Sequence, residues 1–406
     1  MNLAWSCGFY AVQGFIVNTH LMICWYIAVI IGALVSGFVT HRMERKPIYL
    51  FSSFLILVGG ILFVSLPHKY GAISAARYLN GFAMGLVVVP TLVLIGEEVD
   101  SSKRGMAAAL LEMGSFTIGI FLQICCIFAY SNSGAIPSFQ YKFGSTELHG
   151  IFVIGFAVIT FLLSYFLVIE SPVYYLLHND ENQAIDCLRR LQRPFVVTQE
   201  TYQQLEEHKR YIQDNSYNID LMLPALLKMC LYRGLVALSF SPLIVLALLL
   251  STLSYAGDDT WPYILFGVFL WLGSFIGAFL MDYVGRKKFM IIGALICGSM
   301  AIGAGVVYND VINFLYSTKM GKLLILLFVM ELFAGVFSSS SSAYLTEAFP
   351  LHLKTYYIAL SYTVQMLVLI IITSCSYDQT SLGAYFITFG VFYVVACLLG
   401  LWCMPE

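Results

Sequence analysis

What most constrains this chain is a series of apolar runs, each close to 20 residues long. A helix needs about 20 apolar residues to cross a hydrocarbon layer roughly 30 Å thick. A span must also satisfy its own backbone hydrogen bonds, which at this run length favours helices over barrel strands. Twelve runs stand at about 3–18, 21–40, 47–66, 72–96, 105–129, 150–169, 233–254, 262–281, 289–308, 322–346, 355–375 and 382–403. Of the 406 residues, 60% are hydrophobic and only 11% are charged, against about a quarter charged in soluble domains. The predicted class is therefore an all-α polytopic membrane protein. The first run is short, so it is expected to be tilted or to lack upstream residues. Met1–His20 has no basic n-region, and no cleaved signal peptide is expected.

The chain repeats itself. GSFIGAFLMDYVGRKK at Gly273–Lys288 has a counterpart in GALVSGFVTHRMERK at Gly32–Lys46. Gly273 falls on Gly32, Asp282 on His41, Gly285 on Glu44, Arg286 on Arg45 and Lys287 on Lys46. A second echo places Glu97 seven residues before Arg104 and Glu347 seven before Lys354. Two bundles of six helices follow: residues 1–169, a polar linker over 170–232 predicted to form short helices, and residues 233–406. With the linker in the cytoplasm, 16 of the 21 basic residues lie on that side, and so do both termini.

The duplicated charges have a task in such a bundle. Acidic groups near the start of a neighbouring helix meet its free N–H groups and the positive end of its dipole. Arg45, Glu97, Arg104, Glu170, Asp282, Arg286, Glu347 and Lys354 are predicted to form a latch that ties the halves together on the linker side and opens during switching. The intact second copy, with Asp282 and Gly285, is expected to hold more strongly than the first, with His41 and Glu44.

These motifs resemble the sugar porters of the major facilitator superfamily, in particular the insect facilitative hexose and trehalose carriers. RYLNGFAMG at Arg77–Gly85, GEEVDSSKRG at Gly96–Gly105, ESPVYYLL at Glu170–Leu177 and TEAFPLHLK at Thr346–Lys354 carry the likeness in family order. The resemblance implies a major facilitator fold and a solute site between the halves. It also implies that Glu112 occupies the position of a sugar-binding Gln and that Gln365 retains a sugar-binding amide. The amides of span seven are absent from SPLIVLALLLST, and the span-ten G-P-x-P-W is replaced within FSSSSSAY at Phe337–Tyr344. Proton-coupled relatives carry an Asp after a glycine–aromatic pair in span one; here Gly8–Phe9 is followed by Tyr10, which implies passive uniport.

A carboxylate at the bilayer centre costs about 2.5–3.5 kcal/mol on insertion scales, so Glu112 and Glu331 need reasons to be buried. Glu112 is predicted to face the central cavity or to pair with a neighbouring helix; for Glu331 a structural role is expected. Gln13, Gln123 and Gln365 are intramembrane amides that can line the cavity. Ser338 and Ser342 offer hydroxyls to a polyol, or small side chains for close packing. The expected function is alternating-access carriage of a sugar or similar small polar solute at a plasma membrane. An organic-ion carrier and a non-transporting sugar sensor stay open. The sequence has no metal cluster, nucleophile motif or phosphate loop, so neither enzyme activity nor a cofactor is expected. The expected partners are a small solute and lipid, with no nucleic acid, and the chain is expected to be a monomer.

Overall fold

The computed structural model describes residues 1–5, 18–100, 102–131, 144–192, 195–214, 222–257, 259–310, 317–375 and 381–403. Before the linker run α1 (Thr19–Val39), α2 (Arg45–Ser65), α3 (Tyr70–Glu98), α4 (Arg104–Glu112), α5 (Ile118–Ser131) and α6 (Ser145–Leu167). The linker holds α7 (Pro172–Leu177), α8 (Glu181–Leu191) and α9 (Gln199–Asp214). After it come α10 (Met222–Ser239), α11 (Pro242–Tyr255), α12 (Trp261–Val284), α13 (Arg286–Asp310), α14 (Ser317–Glu347), α15 (Leu351–Ser374) and α16 (Ser381–Cys403). Eleven helical segments among the described residues are long and apolar enough to cross a membrane. Their positions match the second to twelfth runs in the sequence; the run at 3–18 falls mostly outside the described residues. The chain is an integral, multi-pass membrane protein.

The repeat in sequence is a repeat in packing. Gly32 on α1 meets Gly85 on α3, and Gly273 on α12 meets Gly335 on α14. A Cβ on Gly32 would lie 3.1 Å from the Gly85 Cα, and one on Gly335 would lie 2.7 Å from the Ser274 nitrogen. Both crossings bring backbone onto backbone, and in lipid such close packing is a main source of helix association. The halves then meet reciprocally: α1 packs on α15, and α12 packs on α4. Since α1 corresponds to α12 and α4 to α15, one contact is made twice around a pseudo-two-fold axis.

Span seven departs from expectation. It runs from Leu223 to Tyr255, so it begins before the predicted start at 233, and it is broken at Phe240–Ser241. Pro242 opens α11, where a missing N–H costs no helical bond. Two tyrosines of α16 brace the break. Tyr393 hydrogen-bonds Ser239 at 2.5 Å and donates to the Leu235 carbonyl at 2.9 Å. Tyr385 bonds Ser241 at 2.6 Å and donates to the Leu238 carbonyl at 3.2 Å. Irregular backbone at membrane depth survives only where protein partners satisfy it.

In the linker, Ala184, Leu188 and Leu205 form a small core, while Leu191 is exposed. The linker docks on the first half: Tyr175 donates to the Glu44 carboxylate at 3.1 Å, and the Cys187 thiol donates to the Glu170 carbonyl. Burial, with the nearby Glu98 and Glu170 charges behind it, pushes the Cys187 thiol up to about 12.

Candidate functional site

Glu112 ends α4, and the next residues, Met113–Thr117, form a π-helical turn. Such turns re-aim side chains inside a helix and are frequent at functional sites. The carboxylate points across the boundary into the second half. It accepts hydrogen bonds from Ser342 Oγ at 2.7 Å and Ser338 Oγ at 3.0 Å. The two serines stand four apart on α14 and so share a helix face.

The residue the sequence reading did not single out is Arg233 on α10. Its guanidinium sits 3.4 Å from Glu112, and both side chains are fully buried. Its closest partner is Gln365 Oε1, which accepts from Nη2 at 2.6 Å and from Nε at 3.0 Å. Nη1 donates to Ser342 Oγ at 3.2 Å. Tyr362 lies under the guanidinium, 4.5 Å from its carbon, and donates to Glu112 at 3.4 Å. One residue of the first half, Glu112, and five of the second, on α10, α14 and α15, thus make up a cluster around a single buried ion pair.

Each ion is held more closely by neutral groups than by its partner: Glu112 by serines, Arg233 by an amide. A buried pair is a poor source of net stability, because desolvation cancels much of the Coulomb gain. Its value lies in joining two bodies while its neighbours can satisfy each ion separately. The same donors and acceptors are those that a polyhydroxylated solute would use.

Of the predicted solute-site residues, Glu112, Gln365, Ser338 and Ser342 are brought together. Gln123 is elsewhere, its Oε1 2.7 Å from His149 Nδ1 between α5 and α6. Gln13 lies outside the described residues. Ser339 and Ser340 bond backbone carbonyls rather than Glu112. The larger of the two cavities described here, about 580 Å³, is not at the ion pair but in the first half, where Asn80, Ser52 and Thr91 interrupt a mostly apolar lining.

Among the described residues, the linker-face ion pairs given by Arg45 and by Arg286 form within each half. Arg45 bonds Glu97 and Glu170 at 2.7 Å each, with its backbone N–H also on Glu170. Arg286 bonds Asp282 at 3.1 Å and pairs with Glu347. This differs from the expected bridging latch because each acid stands at a helix end next to the base of its own bundle. Crossing is left to helix starts. Asp282 Oδ2 accepts from the Met106 N–H of α4 at 2.8 Å, and the equivalent His41 Nε2 is 2.5 Å from Thr355 Oγ1 of α15. Lys354 of the second half is buried on Gly96 of the first. Arg104 donates to the Val99 carbonyl at 3.2 Å and so holds its own loop.

Burial draws His41 below the usual imidazole range, opposed by Glu97 and aided by His352, Arg45 and His178. The closed face therefore favours neutral His41. Its contribution is present above the free imidazole value of about 6.5 and fades as the pH falls below it. Asp282 instead sets a carboxylate on the start of α4, where a helix N-terminus favours negative charge. Asp282→Asn is expected to lengthen the mean separation of spin labels at residues 103 and 288 more than His41→Asn does at neutral pH. Equal responses would contradict that ranking.

Comparison with known proteins places this geometry in a family. The chain is 24% identical to hexose transporter 1 of Plasmodium knowlesi, over 83% of this chain and 69% of the relative. It is 30% identical to monosaccharide-sensing protein 2 of Arabidopsis thaliana over 39% of this chain, a stretch that spans only 20% of that longer relative. Its fold is that of the major facilitator proton:xylose symporter XylE, with a TM-score of 0.79 at 17% identity, covering 100% of this chain and 92% of that one. The profile of the sugar (and other) transporter family matches residues 15–406. The chain belongs to the sugar (and other) transporter family, built on the major facilitator fold.

Proposed function

We propose that the protein carries a sugar or similar small polar solute by facilitated diffusion, through alternating access of two halves, 1–169 and 233–406, joined by the linker 170–232. The observation that carries this reading is the sealed cluster of Glu112, Arg233, Ser338, Ser342 and Gln365 at the junction of the halves. Hydroxyls of a sugar replace these groups' bonds to one another, and the pair parts as solute enters. The ion pairs at the linker face hold each half rigid, while Asp282 and His41 close and release the seam. The positive-inside pattern orients the linker and both termini to the cytoplasm, with the plasma membrane as the site of action and a monomer as the working unit.

A second reading is a non-transporting sugar sensor. It is favoured by the same pair, which consumes the site's hydrogen-bonding groups when closed, and by the likeness to a protein named for monosaccharide sensing. Purified protein in liposomes, given labelled hexoses, trehalose and organic ions in turn, separates the readings. Saturable sugar flux inhibited by unlabelled sugar is expected. Binding without flux would support the sensor, and flux of organic ions alone would overturn both.

A further inference from the structure

Glu331 on α14 belongs to neither the central pair nor the linker-face clusters. Its side chain is 0% exposed, and neither carboxylate oxygen has a hydrogen-bond partner among the described residues. It lines a small cavity of about 10 Å³ together with Ser239, Phe240, Ser241, Ile244 and Val245, the break of span seven and the first turn of α11. A space of roughly 10–15 Å³ is the lower limit for one water. Ser241, the N-cap of α11, makes no side-chain cap bond. An unpartnered buried carboxyl and an uncapped helix start therefore share one void.

We propose that Glu331 is a proton-binding site that switches the break of span seven. With both oxygens unpaired in an apolar enclosure, the conformation described here suits the neutral acid, because an ion there would lack any compensating group. Loss of the proton to water leaves a carboxylate, whose nearest source of stabilisation is the positive start of α11. Ionisation thus draws the first turn of α11, or a bridging water, onto α14, and reprotonation releases it. Among the described residues, titratable groups close enough to feel Glu331 are the Cys297 thiol of α13 and the Tyr393 hydroxyl of α16. Tyr393 already braces the other side of the break through Ser239 and Leu235. The switch acts on span seven, the helix that also carries Arg233, and so ties proton occupancy to the solute site without making the proton a transported partner.

Infrared pH-difference spectra of the full chain in liposomes, paired with hydrogen exchange of the peptide spanning 237–245, test this. A carboxylic-acid band is expected to titrate as the pH is raised. Exchange at the break, normalised to the intrinsic rate, should change with the same midpoint. Glu331→Gln should lose the band and fix the break in its low-pH behaviour. Glu331→Met, an apolar replacement that leaves no buried polar group, should behave as Glu331→Gln and covers the case in which that variant does not fold. Wild-type spectra with no titrating acid, a band that persists in the Glu331 variants, or a break whose exchange follows pH without Glu331 would each overturn the proposal.

Discussion

Glu112→Gln is expected to destabilise the folded protein by about 3–5 kcal/mol, and Arg233→Met by a similar amount. Each removes one ion from a fully buried pair and strands the other. In Glu112→Gln the guanidinium keeps Gln365 and Ser342 but has no counter-charge. In Arg233→Met the carboxylate keeps two serine hydroxyls and Tyr362 against the same loss. The double variant removes both charges, so it strands neither ion, and a stranded buried ion is the source of each single loss. Thermal unfolding in detergent should therefore show two damaging single changes and a double change much milder than their sum. Additive losses would mean that the two residues act independently. Transport should separate from stability: the double variant folds but has lost the group that joins the halves, so its flux stays below wild type.

Arg45→Met should be nearly as costly, again about 3–5 kcal/mol, while Arg286→Met, at the equivalent position, should cost roughly 1 kcal/mol or less. The residues are homologous within the chain, but their surroundings differ. Arg45 is 3% exposed and separates two buried acids, Glu97 and Glu170, which its removal leaves facing each other. Arg286 is 19% exposed, and its partner Glu347 is 26% exposed, so water and salt screen what its loss uncovers. Unfolding midpoints of the two variants under identical conditions check the difference. Equal losses would show that burial does not set the scale here.

Most of the fold can be read from the residues because lipid leaves few options. Apolar runs of span length locate the helices, and the Gly32/Gly273 echo marks the crossings where backbone meets backbone. Charged loops place the linker. Glu112 and Gln365 stood out through aligned positions, and Ser338 and Ser342 through their small, polar spacing. Arg233 was hidden for a physical reason. With Lys228 it interrupts the apolar run, so hydropathy starts span seven at 233, leaves Lys228 to the linker and puts Arg233 at the very end of the span, where a base passes for an anchor. The helix in fact begins at Met222, because Arg233 is neutralised by a carboxylate more than a hundred residues away. The available signal was Glu112 itself, an intramembrane acid in one half that required a base in the other. Gln123, an intramembrane amide expected at the solute site, stands instead apart from the ion pair with its Oε1 on His149.

The central claim is that the halves alternate about a site they share, and the linker face reports it directly. Spin labels at residues 103 and 288, one on each half and both exposed, allow the separation to be measured in liposomes by pulsed dipolar spectroscopy. Two distance populations are predicted, with their balance shifted by a transported sugar and not by a sugar that fails to bind. A single population, unchanged by every sugar that binds, would contradict the account.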